Sequence, residues 1–187
     1  YDEASALLQT KEYSVRNLLR KMKVQTLCST DDPTDSLEHH KKIAGDNCDI
    51  KVLPAYRPDK AMNVDDAAAF NQYVGKVEDA ANVSVSNYAE YLTALKKRHD
   101  FFETMGCKVS DHGLEQVYAE DYADAEIKAI FLKIRGGAAL SLTENLKFKS
   151  AMLVEFAKWD CEKGWIQQYH LGALRNNNSR MMQSLGP

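Results

Sequence analysis

The chain has 187 residues, 44% hydrophobic and 27% charged, with only 9 Gly and 4 Pro, which excludes disordered and collagen-like proteins. Its 24 Lys and Arg against 27 Asp and Glu give a net charge of −3, so the basic excess that nucleic-acid binding requires is missing. No apolar run approaches the roughly 20 residues that span a bilayer, and the N-terminus does not resemble a signal peptide. We therefore expect a cytoplasmic protein without nucleic-acid or membrane partners.

The cysteine pattern excludes a zinc finger and gives no reason to expect a disulfide framework. The four cysteines are far apart and form no CxxC pair; they are Cys28, Cys48, Cys107 and Cys161. A chain of this length can build its own hydrophobic core without disulfides. We expect reduced thiols.

The first predicted elements are a helix, a strand and a second helix. Apolar residues spaced as on one helix face begin at Val15, with Ser14 as the predicted N-cap. A β-prone run over residues 24–30 follows and stops at a polar cluster. Pro33 suits the first turn of a helix that continues to Gly45.

The second predicted strand covers residues 50–54 and again ends in a polar cluster, Arg57-Pro-Asp-Lys60. Two amphipathic helices follow it. Asn63 is the predicted cap of the first and Ser86 of the second, which ends at Gly106.

The third predicted strand is short, residues 107–110, and leads directly into Asp111-His112-Gly113. Two further helical patterns precede the fourth predicted strand, residues 165–169. That strand opens into the polar run His170 to Asn178.

Strands that alternate with helices predict right-handed crossovers and a parallel α/β sheet. All four strands end in charged or hydrogen-bonding residues, as at the carboxyl face of a TIM-type (β/α)8 barrel, but such a barrel needs eight strands in about 250 residues. The residues alone are therefore compatible with two architectures, an open sheet or half of a barrel. We expect one segment, residues 1–187, with helical insertions at about 63–105 and 120–163.

Two of the polar clusters have a plain structural alternative. The acidic run Asp31 to Asp35 could bind a cation or a sugar hydroxyl, or could simply cap a helix. Arg57 suits bidentate recognition of a carboxylate, or it could form an internal salt bridge with Asp59.

The other two clusters contain histidines. His112 could ligate a metal, transfer a proton or be structural. The run from His170 offers many donors and acceptors to a polyhydroxylated ligand, although consecutive Asn residues also form turns.

Together and in this order, the four clusters resemble the uronate isomerase (glucuronate isomerase) family of the amidohydrolase superfamily. The matching stretches are Cys28-Ser-Thr-Asp-Asp-Pro-Thr-Asp35, Leu53-Pro-Ala-Tyr-Arg-Pro-Asp-Lys60, Ser110-Asp-His-Gly113 and Gly164-Trp-Ile-Gln-Gln-Tyr-His-Leu-Gly-Ala-Leu-Arg-Asn-Asn-Asn178. The resemblance covers most of the chain and is least diagnostic in the helical insertions.

The resemblance implies a (β/α)8 barrel that interconverts D-glucuronate with D-fructuronate and D-galacturonate with D-tagaturonate. It also implies one divalent metal, expected to be zinc, held by a His-x-His motif after the first strand and an Asp after the last. This sequence has neither. We therefore expect an internal segment that is inactive alone and has the rest of the parent barrel as its partner, and homo-oligomerisation is left open.

For individual residues, the resemblance and the chemistry of isomerisation imply two groups. The catalytic candidates are His112 and His170. Either one could lie near the metal but is not expected to be one of its ligands, and the sequence does not decide which of the two transfers the proton. The substrate-binding candidates, expected to contact a uronic acid, are Arg57, Arg175, Asp31, Asn176, Asn177 and Asn178.

Two alternatives, one of them from a different functional class, stay open at this point. One is a metal-dependent hydrolase of the same superfamily, although such a hydrolase does not need the carboxylate and polyol site that Arg57 and the run from Arg175 suggest. The other is a non-catalytic, helix-rich interaction module, for which the amphipathic helix from Tyr88 to Phe102 would supply the surface.

Overall fold

A computed structural model describes residues 1–172 and 177–186. Its strands form one sheet in chain order: β1 (Thr26–Asp31), β2 (Lys51–Tyr56), β3 (Val109–Leu114) and β4 (Ile166–Leu171). All three strand pairings are parallel. Each crossover therefore leads to the next strand on the same side, which is the topology of a (β/α) barrel segment and confirms the predicted fold class.

The α-helices of the described residues include one near the C-terminus, α8, that the sequence did not predict. In order they are α1 (Asp2–Leu8), α2 (Val15–Lys21), α3 (Glu38–Gly45), α4 (Ala67–Ala81), α5 (Tyr88–Thr104), α6 (Asp124–Arg135), α7 (Leu142–Lys163) and α8 (Ser179–Leu185). Short 3-10 helices occupy Lys11–Tyr13 and Asp59–Met62. Helices α4 and α5 lie between β2 and β3 in the chain, and α6 and α7 lie between β3 and β4.

Helix α3 begins at Glu38, five residues after Pro33, so the predicted start was wrong. The intervening loop satisfies its backbone with its own carboxylates. Asp32 accepts a hydrogen bond from the Thr34 N–H at 3.0 Å, and Asp35 accepts one from the Leu37 N–H at 2.8 Å. These Asx turns compete with helix formation and delay it.

Two of the three predicted N-caps were displaced. Ser14 is the N-cap residue of α2, as predicted, although its side chain makes no capping hydrogen bond. Asp66 caps α4 in place of Asn63, and Asn87 caps α5 in place of Ser86; their side chains accept from backbone N–H groups at 2.7 and 3.0 Å. Adjacent polar residues offered several possible caps, and only the helix start decides which one is used.

The larger hydrophobic core lies among the long helices α4 to α7 and is rich in aromatic rings. Its fully buried rings include Phe70, Tyr91, Phe131 and Phe148. A smaller core between the sheet and α5 contains Leu37, Tyr56, Phe102, Cys107 and Trp165. The apolar face of α5 is therefore inside the molecule, and the surface that an interaction module would have used is not available.

The sheet is buried at its centre and open at its outer strands. Ile166 and Leu171 of β4 are 68% and 53% exposed, whereas Tyr56 and Ser110 on the central strands are fully buried. None of the helices in residues 1–172 and 177–186 is long and apolar enough to cross a membrane.

Pro54 explains why the two central strands pair so little. The N–H groups of Lys51 and Arg57 donate to β1, so the even-numbered residues of β2 present their nitrogens to β3. Pro54 has no N–H to give there. Strands β2 and β3 share only the pair Tyr56 and Ser110, whereas β1 and β2 share six pairs.

Candidate active site

Strand β3 extends further than the sequence predicted and includes Asp111, His112 and Gly113. Successive side chains of a strand point to opposite faces of the sheet, so Asp111 and His112 face away from each other. Strand β4 likewise includes His170, which registers with Gly113. Asp111 and His170 therefore share one face of the sheet, and His112 lies on the other.

On the first face, five polar side chains converge; we call them the inner cluster: Arg57, Asp59, Asp111, Gln168 and His170. The Arg57 Nε donates to Asp59 Oδ2 at 2.7 Å, and its Nη1 lies 3.3 Å from Asp111 Oδ2. His170 Nδ1 lies 2.9 Å from Asp111 Oδ1. Asp111 thus joins the arginine after β2 to the histidine of β4.

Arg57 keeps its positive charge in the inner cluster. Its hydrogen bond to Asp59 raises the pKa of the guanidinium above its ordinary value, the charges of both neighbouring carboxylates add to this, and partial burial opposes them. The internal salt bridge that the sequence left as an alternative therefore exists. It occupies only the Nε side of the guanidinium, so the presence of the pair does not remove Arg57 from substrate binding.

The neighbours of His170 favour one tautomer of its ring. Gln168 Nε2 lies 3.0 Å from His170 Nε2 and 3.2 Å from Asp111 Oδ1. An amide NH2 only donates, so His170 Nε2 accepts and its Nδ1–H donates to Asp111. The ring is held by two partners, yet its side chain is 51% exposed and can be reached by a solute.

Asp111 has acceptor capacity left. Its side chain is only 5% exposed, and its Oδ2, although near Arg57 Nη1, makes no hydrogen bond within the described residues. A buried carboxylate oxygen without a hydrogen bond is costly. The charge of Arg57 Nη1, 3.3 Å away, compensates this cost in part.

The opposite face of β3 carries a second polar set, the buried chain, which consists of His112, Ser110, Asp160 and His99. Ser110 Oγ donates to Asp160 Oδ2 at 2.6 Å, and His112 Nε2 lies 3.0 Å from Ser110 Oγ. His99 Nε2 lies 3.0 Å from Asp160 Oδ1. All four residues are buried, and they tie β3 to α5 and α7.

Burial lowers the pKa of His112, and the nearby carboxylates of Asp59, Asp160 and Asp111 oppose that shift only in part. Its ring stacks on Phe156 of α7, with centroids 5.9 Å apart. Since the Ser110 hydroxyl proton is committed to Asp160, His112 must donate through Nε2. Its Nδ1 has no hydrogen-bond partner among the residues described, so a neutral ring fits this place.

Asp31 lies away from the inner cluster, on the helix-facing side of β1. It registers with Tyr56, whose ring packs on α5, and parallel partners share a face. Its Oδ2 accepts from the Ser29 hydroxyl at 2.8 Å and lies 3.7 Å from His40 Nε2. The structure therefore brings Asp31 to His40 rather than to Arg57.

The loop after β1 is held by Arg98 of α5, a residue that the sequence analysis did not single out. Its Nε donates to the Pro33 carbonyl at 2.7 Å and its Nη2 to the Asp35 carbonyl at 2.7 Å. Its Nη1 donates to the Ala80 carbonyl at 3.1 Å, and Phe101 packs 4.2 Å from its guanidinium carbon. An arginine in an otherwise apolar helix face was the available signal.

The polar run after β4 is described only in part. Arg175 and Asn176 lie outside the described residues. Asn178 is the N-cap of α8, and its side chain accepts from the Met181 N–H at 3.0 Å, while Asn177 is exposed. The predicted substrate contact of Asn177 and Asn178 stays a prediction.

Sequence reasoning named Asp59 as a possible salt-bridge partner of Arg57 but missed the contacts of Asp111 and Gln168 with Arg57 and His170. Asp59, Asp111 and Gln168 were present in the quoted motifs but were not selected as site residues. The signal that could have found them is the two-residue alternation of a strand, which places Gln168 with His170 and Asp111 with Gly113. In residues 1–172 and 177–186 no group of three His, Cys, Asp or Glu side chains could hold a metal ion.

Comparison with known proteins covers the whole chain. The family model for glucuronate isomerase matches residues 1–187. The uronate isomerase of Bacteroides thetaiotaomicron is 54% identical over 187 residues, which is 100% of this chain and 40% of that protein. The uronate isomerase of Cellvibrio japonicus is 49% identical over 188 residues, with the same shares. The chain thus spans about 40% of the length of the curated relatives it matches.

Solved structures agree with the sequence matches. The crystal structure of uronate isomerase from Thermotoga maritima superposes with a TM-score of 0.85 at 37% identity, over 92% of this chain and 38% of that chain. The crystal structure of glucuronate isomerase from Caulobacter crescentus gives a TM-score of 0.87 at 28% identity, over 97% of this chain and 38% of that chain.

Proposed function

The chain belongs to the glucuronate isomerase family, and we propose that it forms part of an enzyme that interconverts D-glucuronate with D-fructuronate and D-galacturonate with D-tagaturonate. The observation that carries the assignment to the inner cluster is the convergence of Arg57, Asp111 and His170 at the carboxyl ends of neighbouring strands. This is where (β/α) barrels carry their active sites.

Aldose–ketose isomerisation moves a proton between C2 and C1 of the sugar acid through an enediol. The site must therefore hold an anionic chain of hydroxyl groups and stabilise negative charge on the carbonyl oxygen. Arg57 is the proposed contact for the substrate carboxylate or a hydroxyl oxygen. Because Asp59 occupies its Nε side, the substrate would use the edge formed by Nη1 and Nη2.

His170 is the proposed proton-transfer residue. Its exposed ring can meet the substrate, and its Nε2 becomes a base once the Gln168 amide moves aside. Asp111 would hold the opposite nitrogen and, through its Oδ2 at 3.3 Å from Nη1, keep the charge of Arg57 beside the histidine. For His112, the buried contacts favour a supporting role, and for Asp31 the contact with Ser29 and His40 does the same.

The inner cluster alone carries too little positive charge to bind a uronate anion. It contains two carboxylates against one permanent cation, Arg57. An anionic substrate therefore needs positive charge from elsewhere, for which Arg175 and a divalent metal held by the rest of the barrel are the proposed sources. The metal would act as a Lewis acid on the carbonyl oxygen. This charge balance supports the proposal that the segment alone is inactive.

We place the complete enzyme, meaning the protein in which this chain is joined to the rest of the barrel, in the cytoplasm. All four cysteines are free thiols, and two of them, Cys28 and Cys161, are exposed. A reducing compartment preserves exposed thiols.

The test is an assay of the complete enzyme and of the isolated segment with D-glucuronate and D-galacturonate. We expect turnover of a uronate by the complete enzyme and none by the segment. Failure of the complete enzyme to convert any uronate would disprove the activity. Comparable turnover by the segment would disprove the claim that charge and metal come from outside it.

A further inference from the structure

Arg57 is confined on three sides by the ends of the central strands. Asp59 binds its Nε at 2.7 Å, and Asp111 lies 3.3 Å from its Nη1. The third side is the backbone of Gly113: a methyl group added there would overlap Arg57 Nη2 and would lie 3.3 Å from its Cζ. The guanidinium therefore packs directly on a peptide unit that carries no side chain.

Gly113 is not required by its backbone conformation. It does not lie in the left-handed region that favours glycine, so an alanine could adopt its φ. Glycine inside a strand weakens the strand, and its usual reason is the close approach of another group. Here the approaching groups are the tip of Arg57, a flexible side chain that an added methyl group would push aside, and Asp59 Oδ2, which would lie 3.1 Å from that methyl group.

Asp59 completes the arrangement from the same peptide unit. The Gly113 N–H donates to Asp59 Oδ2 at 3.0 Å and approaches Oδ1 at 3.3 Å. Asp59 thus bridges a main-chain donor of β3 and the Nε of Arg57. It also links β2 and β3 beyond the point where Pro54 has interrupted their pairing.

We propose that Gly113 and Asp59 are positioning residues that together clamp Arg57 and direct its Nη1–Nη2 edge to the substrate. The inference deepens the proposed isomerase function and rests on it for its kinetic part. The contact with the Gly113 peptide unit sets how closely the Arg57 guanidinium approaches the sheet. The hydrogen bond to the Asp59 carboxylate sets the orientation of the guanidinium plane. The clamp does not touch the reacting carbons.

The test is a double-mutant cycle in the complete enzyme with Gly113→Ala and Arg57→Ala. Gly113→Ala should lower kcat/KM for D-glucuronate at least tenfold with little change in Tm, and in the Arg57→Ala background it should change kcat/KM less than twofold. The matched control is Gly75→Ala in α4, where an added methyl group meets nothing within 4 Å. This control should keep wild-type kinetics.

A wild-type kcat/KM for Gly113→Ala, or the same fold loss with and without Arg57, would overturn the clamp. Asp59→Asn gives an independent approach if Gly113→Ala does not fold: it should also lower kcat/KM only when Arg57 is present. An equal loss for Asp59→Asn in both backgrounds counts against the clamp.

Crystal structures of the wild type and Gly113→Ala separate this inference from the proposed function. If the clamp exists, the added methyl group in Gly113→Ala displaces the Arg57 guanidinium from residue 113 and breaks its contact with Asp59. This result does not depend on which substrate the enzyme converts. An unmoved guanidinium would disprove the clamp even in an active isomerase. A displaced one in a protein that converts no uronate would disprove only the isomerase assignment.

Discussion

An aspartate–histidine pair lies at each face of β3, and the two pairs have opposite settings. On the inner face Asp111 meets Arg57 and a half-exposed histidine, His170. On the outer face Ser110 and His112 meet Asp160 and the buried ring of His99. One face combines permanent charge with access for solutes, and the other satisfies polar groups within the protein.

The difference shows that position along a strand decides the role of a histidine more than its neighbours in sequence do. His112 lies beside Asp111 in the chain. The histidine that Asp111 binds is nevertheless His170, which is 59 residues away in sequence and adjacent across the sheet. Three variants of the complete enzyme test the contrast: the buried chain should control stability and the inner cluster should control turnover.

The largest expected effect is on the outer face. Asp160→Ala leaves His99 Nε2 and Ser110 Oγ without their shared partner in the core. Each buried polar group left without its partner costs about 1–3 kcal/mol, so the two together should cost about 2–6 kcal/mol. We expect that loss in the free energy of unfolding, measured with a chemical denaturant.

The matched control for Asp160→Ala is Glu162→Ala on the same helix, whose carboxylate is 59% exposed and pairs with Lys96 at 3.1 Å. Removing an exposed pair of this kind should change stability by less than about 1 kcal/mol. Equal losses for the two variants would show that the buried chain contributes nothing special.

The second effect is on the inner face. Arg57→Lys keeps a positive charge beside Asp59 but cannot reproduce the planar edge of Nη1 and Nη2. A hydrogen bond to a charged group contributes about 1.5–3 kcal/mol, so kcat/KM should fall roughly tenfold to a hundredfold or somewhat more. Tm should hardly change, because the Arg57–Asp59 pair is partly exposed.

Arg16→Lys is the control for that variant, since Arg16 forms an exposed pair with Asp46 far from the inner cluster in sequence. It should leave kcat/KM unchanged. A large thermal loss with intact turnover in Arg57→Lys would remove Arg57 from substrate binding and assign it to structure alone.

The smallest effect concerns His112 and pH. Because burial lowers the pKa of His112 in the folded protein, the unfolded chain binds the proton more tightly. Above the pKa of His112 in the unfolded chain, about 6.5, the residue is neutral in both states and does not destabilise the fold. As pH falls below that value, the unfolded chain takes up the proton first and the free energy of unfolding decreases. One proton can change the free energy of unfolding by at most about 1.36 kcal/mol per pH unit.

We expect His112→Gln to reduce the loss of stability between pH 7 and pH 5.5, measured by denaturant unfolding at each pH. His39→Gln, at a side chain 80% exposed, is the control and should leave the slope unchanged. If both variants follow the wild-type slope, the neutral state assigned to buried His112 is wrong.

The order of elements could be predicted from the sequence because apolar periodicity and polar strand ends are local signals. The strand ends could not. Asp and Gly are poor strand residues, so β3 was ended before Asp111, and proline suggested an end to β2. In the structure Pro54 stays inside the strand because its missing N–H faces β3 and does not interrupt the six pairs that β2 forms with β1.

Arg57 and His170 could be selected from the sequence because charged groups beyond apolar strands are conspicuous. Which face they share could not, since the pairing register between two strands is not visible in one sequence and a register slip of one residue reverses every side chain. For that reason His112 and His170 were both selected as catalytic candidates, although they lie on opposite faces of the sheet. The capping role of Asn178 was equally hidden, because three consecutive asparagines do not reveal which one begins a helix.

Arg98 has a consequence for how this fold tolerates change. It binds the loop after β1 only through main-chain carbonyls, those of Pro33 and Asp35, and a third at the end of α4. Every amino acid supplies the same carbonyl, so this part of the anchoring does not depend on the side chains of the loop. Substitutions at Asp32 or Asp35 would remove the Asx turns, but the three contacts with Arg98 would still hold the main chain in place.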